Sequence, residues 1–397
     1  MSHSLELSAP IENKYLTTGV KILIAIFGVG MAFGLYRFLF GLGSVTHLNH
    51  QYPLGLWIGV DVASGVALAA GGFTSAALIH IFYKEDYHIF GRPAHLTAML
   101  GYTFVVIGLL FDLGRWYNVW HPAIPTMWQG NSVLFEVGIC VMIYLTVLYI
   151  EFLPIVAERF IGHSPKWIDG ILRFLDRILG KIMWVFIILG VVLSCLHQSS
   201  LGNLLVIAPY KMHPLWYTPV LPMLFLMSAI AVGFPMVLFE YYLAAKSFNH
   251  PIDMQKMGKL ARLVPVFVGL YFLMKIGDLT IRGAWGNLFD GSYQSIWFAV
   301  ELIIGIILPI VLLLNQKVRN NPTLIFIAST LYIIFGVLLN RINVFLIAYR
   351  PPYKTHIYFP SIGEILVTCG LIAGLILVYR AFVTIFPVLP AHKNEHA

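Results

Sequence analysis

Long apolar runs recur along this chain, and they constrain its fold more than any other feature. A helix needs about 20 predominantly apolar residues to cross a bilayer core. Such runs lie at roughly 19–40, 54–83, 93–115, 130–158, 180–200, 218–246, 262–282, 293–316, 322–348 and 361–386. Only 11% of the residues are charged, against about 25% in soluble domains, and mean hydropathy is +0.83. No period-two alternation marks barrel strands, so the spans are expected to be helices. The expected fold is an all-α integral membrane protein with about ten transmembrane helices.

Basic residues set the expected orientation. Most of the 25 Lys and Arg fall in tails and loops on the side of the N-terminus. The opposite side carries only Arg37, Arg115, Lys211, Arg282, Arg341, Arg350 and Lys354. Both termini are therefore expected in the cytoplasm. The basic pI of 9.2 reflects this bias and does not imply nucleic-acid binding. The N-terminus lacks a short apolar region followed by a small-residue cleavage site, so the first run reads as a retained helix.

Ionisable residues sit at the edges of the spans. The stretch FDLGRWYNVWHPAIPTMWQGNSVLFE (111–136) joins spans three and four. Trp116, Trp120 and Trp128 fit an interfacial belt. Asp112 and Arg115, three apart, can pair on one helix face; the alternative is a functional role for Asp112 or Glu136. Asp61, Asp112, Glu136, His197 and Asp278 lie within about two turns of the face opposite the termini. Glu301 lies near mid-span and Glu240 nearer the cytoplasm. Intramembrane ionisable groups are costly and usually face a bundle interior or wet cavity, so these residues could form a proton ladder. For Lys275, the alternative is a charge-neutralising pair with Asp278 or Glu301.

A weak internal repeat is visible. GDLTIR (277–282) resembles FDLGR (111–115), HPLW (213–216) resembles PLGLW (53–57), and Glu301 loosely matches Glu136. Helices two to five and six to nine therefore read as two parallel four-helix bundles flanked by helices one and ten. The resulting division is 1–53, an N-terminal tail, first helix and loop; 54–212, the first bundle; 213–348, the second; and 349–397, a loop, the last helix and a tail. Parallel repeats without broken central helices weigh against an ion-coupled secondary transporter.

The chain offers few metal ligands. Cys140, Cys195 and Cys369 lie far apart in apolar spans, which leaves no iron–sulfur, zinc or disulfide pattern. Haem b would need facing histidines; the intramembrane candidates are His80, His95 and His197, with no second pair at another depth. No phosphate-binding glycine loop is present, and GVGMAFG (28–34) lies in a span, where glycines serve close packing.

FGLGSV, DLGRWYN, NSVLFE, LHQSSLGN, KMHPLW and VLFEYY, in that order over about residues 20–390, resemble the NrfD/PsrC (polysulfide reductase) membrane-subunit family. Within it they most resemble the HybB-type integral membrane subunits of nickel–iron hydrogenases. The resemblance implies a quinone site (menaquinone or ubiquinone) near the periplasmic face and no redox centre in the chain itself. It implies a periplasmic ferredoxin-like iron–sulfur subunit as partner, serving a nickel–iron hydrogenase or, alternatively, a molybdenum enzyme or multihaem cytochrome. Although the branch is often labelled a b-type cytochrome, the sparse histidines argue against haem. For a quinone, Asp112 and Glu136 are candidate proton donors and His197 a carbonyl ligand. Gln198 and Asn131 are supporting donors, with Arg115, Trp116 and Tyr117 as lining residues. Asp61, Glu240, Lys275, Asp278 and Glu301 are candidates for the proton path. The implied location is the bacterial inner membrane.

Overall fold

The computed structural model describes residues 10–11, 15–82, 87–353 and 357–389. Among the described residues, ten helices are long and apolar enough to span a membrane. They are α1 (Thr18–Phe40), α2 (Trp57–Ile79), α3 (His88–Asp112), α4 (Val133–Phe160), α5 (Lys166–Val206), α6 (Leu221–Phe248), α7 (Met254–Ile281), α8 (Tyr293–Leu314), α9 (Pro322–Ile347) and α10 (Ile362–Ile385). Odd-numbered helices run from a near face, where α1 begins, to a far face. Among the described residues there is no β-strand, only an isolated bridge between Met212 and Tyr349 on the far face.

Side-chain caps start several of the helices. Thr17, Ser132, Asp253, Ser292 and Ser361 accept backbone N–H groups of the first turn, satisfying donors that helix geometry leaves free. Ser361 and Glu364 form a reciprocal capping box at the start of α10.

Residues 180–200 were expected as span five, but α5 covers Lys166–Val206, 41 residues. Its first turns read KWIDGILRFLDR. The charges exclude them from an apolar-run search but do not interrupt a helix. Asp169 and Arg173, four apart, pair at 2.7 Å. Helix α7 likewise starts earlier than expected, at a turn capped by Asp253.

Helix α2 packs on α3 and α5, and α4 on α3 and α5; in the second half α6 packs on α7 and α9, and α8 on α7 and α9. The halves meet through α2 and α5 against α6. Helix α10 packs on α1, α2 and α3, which carries α10 residues into the first half.

Two crossings depend on glycine. A Cβ on Gly30 in α1 would lie 2.6 Å from the Leu366 carbonyl oxygen and 2.7 Å from Gly370 Cα in α10. A Cβ on Gly305 in α8 would lie 2.3 Å from the Phe335 carbonyl oxygen in α9. Small residues permit this backbone approach, the main source of helix packing in lipid. The second crossing joins π-helical stretches Glu301–Ile307 and Tyr332–Leu338; Trp57–Ser64 in α2 is also π-helical. Asp61 and Glu301 lie within such stretches, which widen a helix locally and often mark functional sites.

Candidate functional site

Three carboxyl groups and a guanidinium gather at the far-face end of α1, α2, α3 and α10. Arg37, in the last turn of α1, is 1% exposed. Its Nε donates to the Phe111 carbonyl at 2.7 Å and its Nη2 to the Leu113 carbonyl. It thus straddles Asp112, whose carboxyl also lies in the field of Glu364. Asp112 Oδ1 is buried without a hydrogen-bond partner. Asp61 accepts from Thr368 of α10 at 2.7 Å and also lies in the field of Asp112. Glu364 is fully buried and committed: it accepts from Tyr358 Oη at 2.5 Å, Ser361 N at 2.8 Å and His47 N at 3.2 Å. The Glu364 carboxyl is therefore fully engaged, while Asp112 keeps an uncommitted oxygen.

Aromatic rings wall this cluster. Trp57 donates its indole N–H to the Glu364 carbonyl at 3.1 Å and lies 6.2 Å from the Phe111 ring. Phe38 bridges Phe111 at 5.0 Å and Trp116 at 5.1 Å. Trp57 is buried, whereas Trp116 and Tyr117 are exposed. The cluster thus runs from the interior to an exposed aromatic edge between α1 and α3.

Glu136 and His197 lie on the α4–α5 flank. Exposed Glu136 accepts from Ser200 Oγ at 2.6 Å. His197, one turn before Ser200, is fully buried, and neither ring nitrogen has a partner. Its ring lies 5.7 Å from Tyr102, which meets Tyr144 edge-on at 4.5 Å. Gln198 donates to the Val66 carbonyl at 2.9 Å, tying α5 to α2. Asn131 lies exposed in the preceding loop.

Polar groups continue towards the near face. Tyr144 lies in the field of Glu151, which faces His95 Nδ1 at 3.4 Å. His95 Nε2 also lies 3.1 Å from the Leu148 carbonyl. Glu240 of α6 turns towards Thr97 and Tyr379, not towards the second half. Titratable groups therefore occur at successive depths of the first half.

The second half holds a knotted network. Glu301 is fully buried and ion-paired with Lys275. It also accepts from Trp216 Nε1 at 3.0 Å, Asn340 at 2.8 Å and Asn343 at 2.7 Å. Buried Arg341 donates to Asn340 at 2.6 Å and Ser228 at 2.8 Å and lies over the Phe225 ring. Asp278 is held by Arg282 at 2.7 Å and Thr218 at 2.6 Å. A cavity of about 20 Å³ lies beside Lys275, Asp278 and Asn340, room for about one water.

Two pairing expectations meet different outcomes. Asp112 does not pair with Arg115; its cationic neighbour is Arg37, from another helix. Helix α3 ends at Asp112 and the chain turns extended at Leu113, so Arg115 never reaches the same helical face. Lys275 does pair with Glu301. The proton-path candidates divide between the halves: Asp61 and Glu240 in the first, Lys275, Asp278 and Glu301 in the second. The side chain of His80 lies outside the described residues. Arg37, Glu364, Tyr358 and Thr368 were not anticipated. The S-x-x-E spacing of Ser361 and Glu364 and a lone Arg inside the first apolar run were the available signals.

The polysulphide reductase, NrfD family model matches residues 56–350. The chain belongs to this family. It is 38% identical to a protein of Nitratidesulfovibrio vulgaris over 97% of this chain and 98% of that one. It is 33% identical to the probable Ni/Fe-hydrogenase 2 b-type cytochrome subunit of Escherichia coli K12, over 100% and 98%. It is 26% identical to the integral membrane subunit of a menaquinone reductase of N. vulgaris, over 94% and 91%. An NrfD-family membrane subunit of a respiratory oxidoreductase accounts for the ten apolar helices and for these relatives together.

Proposed function

We infer that the chain is the membrane-anchoring, quinone-reactive subunit of an oxidoreductase complex. It passes electrons between a periplasmic ferredoxin-like iron–sulfur subunit and menaquinone or ubiquinone. The hydrogenase-named E. coli relative, aligned over the full length, favours a nickel–iron hydrogenase as the catalytic partner over a molybdenum enzyme or multihaem cytochrome. The far face is periplasmic and both termini cytoplasmic in this reading, as the basic-residue bias requires.

The observation that carries the reading is the cluster of Asp112, Asp61, Glu364 and Arg37 behind the Phe38–Trp116 edge. A quinone needs apolar walls, a few polar groups for its carbonyls and a proton source. Reduction to the quinol takes two electrons from the partner subunit and two protons. Asp112 Oδ1 supplies or receives a proton at the ring, and Asp61 exchanges with it. Arg37 and Glu364 fix the local field and hold the α3 end in place. Ring entry is between α1 and α3, past Trp116 and Tyr117. Protons reach the cluster through the first half, by way of Glu240, Glu151 and His95, then Tyr144, Tyr102 and His197. Glu136 and Ser200 form a second exchange point on the α4–α5 flank. The Lys275–Glu301 network serves as a structural tie.

The test uses the intact complex. Asp112→Asn should lower hydrogen-to-menaquinone turnover roughly a hundredfold, the low end of what a positioned acid contributes. Hydrogen oxidation with a soluble dye, which bypasses the membrane subunit, should stay unchanged. Full quinone turnover in the variant would remove Asp112 from the mechanism.

A second reading, a haem b subunit, is favoured by the name of the E. coli relative and by the two unpartnered ring nitrogens of His197. His95, by contrast, is engaged by Leu148 and Glu151, so these residues fit bis-histidine ligation poorly. A reduced-minus-oxidised spectrum of the purified chain decides between the readings.

A further inference from the structure

A pocket of about 230 Å³ opens at the near face, far from the cluster around Asp112. Its lining includes Gln255, Lys259, Arg262, Arg319 and Asn320, and no acidic residue. The segments that form it are the first turns of α7 and the short connection from α8 to α9. Gly258 lets them meet, since a Cβ there would lie 3.2 Å from the Arg319 carbonyl oxygen.

The two arginines are placed differently. Arg319 anchors the wall: its Nη1 donates to the Leu313 and Leu314 carbonyls at 2.8 and 3.1 Å, closing the C-terminal end of α8. Its Nε is buried and has no partner. Arg262 is exposed at the rim. Positive charge here is concentrated in a concave site.

The surroundings indicate what would fill it. Val266, Leu270 and Leu273 of α7 are exposed, beginning one turn beyond Arg262, and so are Val311 and Leu314 at the end of α8. On membrane-spanning helices such side chains face lipid tails. A basic hollow directly above exposed aliphatic side chains matches a phosphate headgroup with its acyl chains below.

We propose that this pocket binds the phosphate headgroup of an anionic phospholipid and so seats the α7 and α8–α9 segment on the bilayer surface. Basic pockets between helices at the cytoplasmic surface recognise such headgroups, with each cation adding to the affinity. The ligand is a lipid phosphate and not free inorganic phosphate, because the aliphatic surface continues from the basic rim.

The complex, purified from nanodiscs of phosphatidylglycerol and cardiolipin, would be analysed by native mass spectrometry for retained lipid. The Lys259→Gln/Arg262→Gln double variant leaves Arg319 and its α8 contacts intact. It should lower the affinity for cardiolipin roughly thirtyfold, the usual effect of two basic residues near an anionic lipid. Phosphatidylcholine should not substitute, and millimolar inorganic phosphate should not displace the bound lipid. A variant that retains cardiolipin as well as the wild type, with an unchanged melting temperature showing that it is folded, would overturn the proposal. Displacement by inorganic phosphate would overturn the lipid assignment.

Discussion

Replacing Lys275 by Met should destabilise the protein sharply, and removing Glu301 as well should restore most of the loss. Glu301 is fully buried, so its charge has no water to fall back on. Breaking a buried pair by removing one partner costs about 3–5 kcal/mol, chiefly through the uncompensated charge left behind. Three neutral donors remain here, from Trp216, Asn340 and Asn343. Hydrogen bonds to a charged group contribute about 1.5–3 kcal/mol each, so the loss should fall near the low end, about 3 kcal/mol. Lys275→Met/Glu301→Gln removes both charges of the pair, leaves buried Arg341 held by Asn340 and Ser228, and keeps an acceptor for those donors. Its stability should come within about 1 kcal/mol of wild type, as charge-to-neutral replacements of buried pairs often do. Thermal unfolding of the purified complex, followed by tryptophan fluorescence, reads both variants. An unchanged melting temperature for Lys275→Met would refute the reasoning, as would a double variant no better than the single one. Quinone turnover per folded molecule should survive in the double variant; its loss would show that Glu301 carries protons.

Gly305→Ala should destabilise by about 1–3 kcal/mol, the usual cost of overpacking, because the added Cβ meets α9 backbone and not a movable side chain. Gly138→Ala, with nothing within 4 Å of the new Cβ, is the control and should be neutral or slightly stabilising in the same melt. His213, in the far-face loop outside the spans, is held neutral at a pKa of about 4, first by burial and then by Arg350, with Asp290 opposing. Its ordinary value is about 6.5, so unfolding takes up a proton between those limits. Stability should therefore fall as pH drops from about 6.5 to about 4 and flatten below. His213→Asn should remove that part of the slope in a pH-dependent melting series. Trp116→Ala should raise the KM for quinone more than it lowers kcat, because the ring lies at the exposed edge and not at the carboxyl groups.

The ten spans were legible because bilayer thickness imposes one length and one composition on every helix. Charged ends were not: the first turns of α5 are helical through local pairing such as Asp169 with Arg173, which apolar runs do not report. Asp112 was legible as well, since an Asp at the end of an apolar span stands out. Its cationic neighbour was misread. Arg115 is three residues away, but Arg37 brings its charge beside Asp112 by binding the Phe111 and Leu113 carbonyls across a helix crossing that no local spacing encodes. Glu364 was hidden for a similar reason, as α10 is last in the chain yet packs on α1, α2 and α3. Glu240 shows the same limit: its place on α6 suggested the second half, whereas its side chain turns to Thr97 and Tyr379. The Lys275–Glu301 pair was legible because the alternatives were few, a mid-span lysine with two nearby acids.

The most direct test of the central claim is where a quinone binds. A photoreactive menaquinone analogue, crosslinked in the intact complex and mapped by peptide mass spectrometry, would report it. The account predicts labels on the Phe38, Trp57, Asp112 and Trp116 peptides, competed by unlabelled quinone and weakened by Asp112→Asn. Competed labels confined to the peptides of Trp216, Lys275 and Glu301 would contradict it and move the quinone site to the second half.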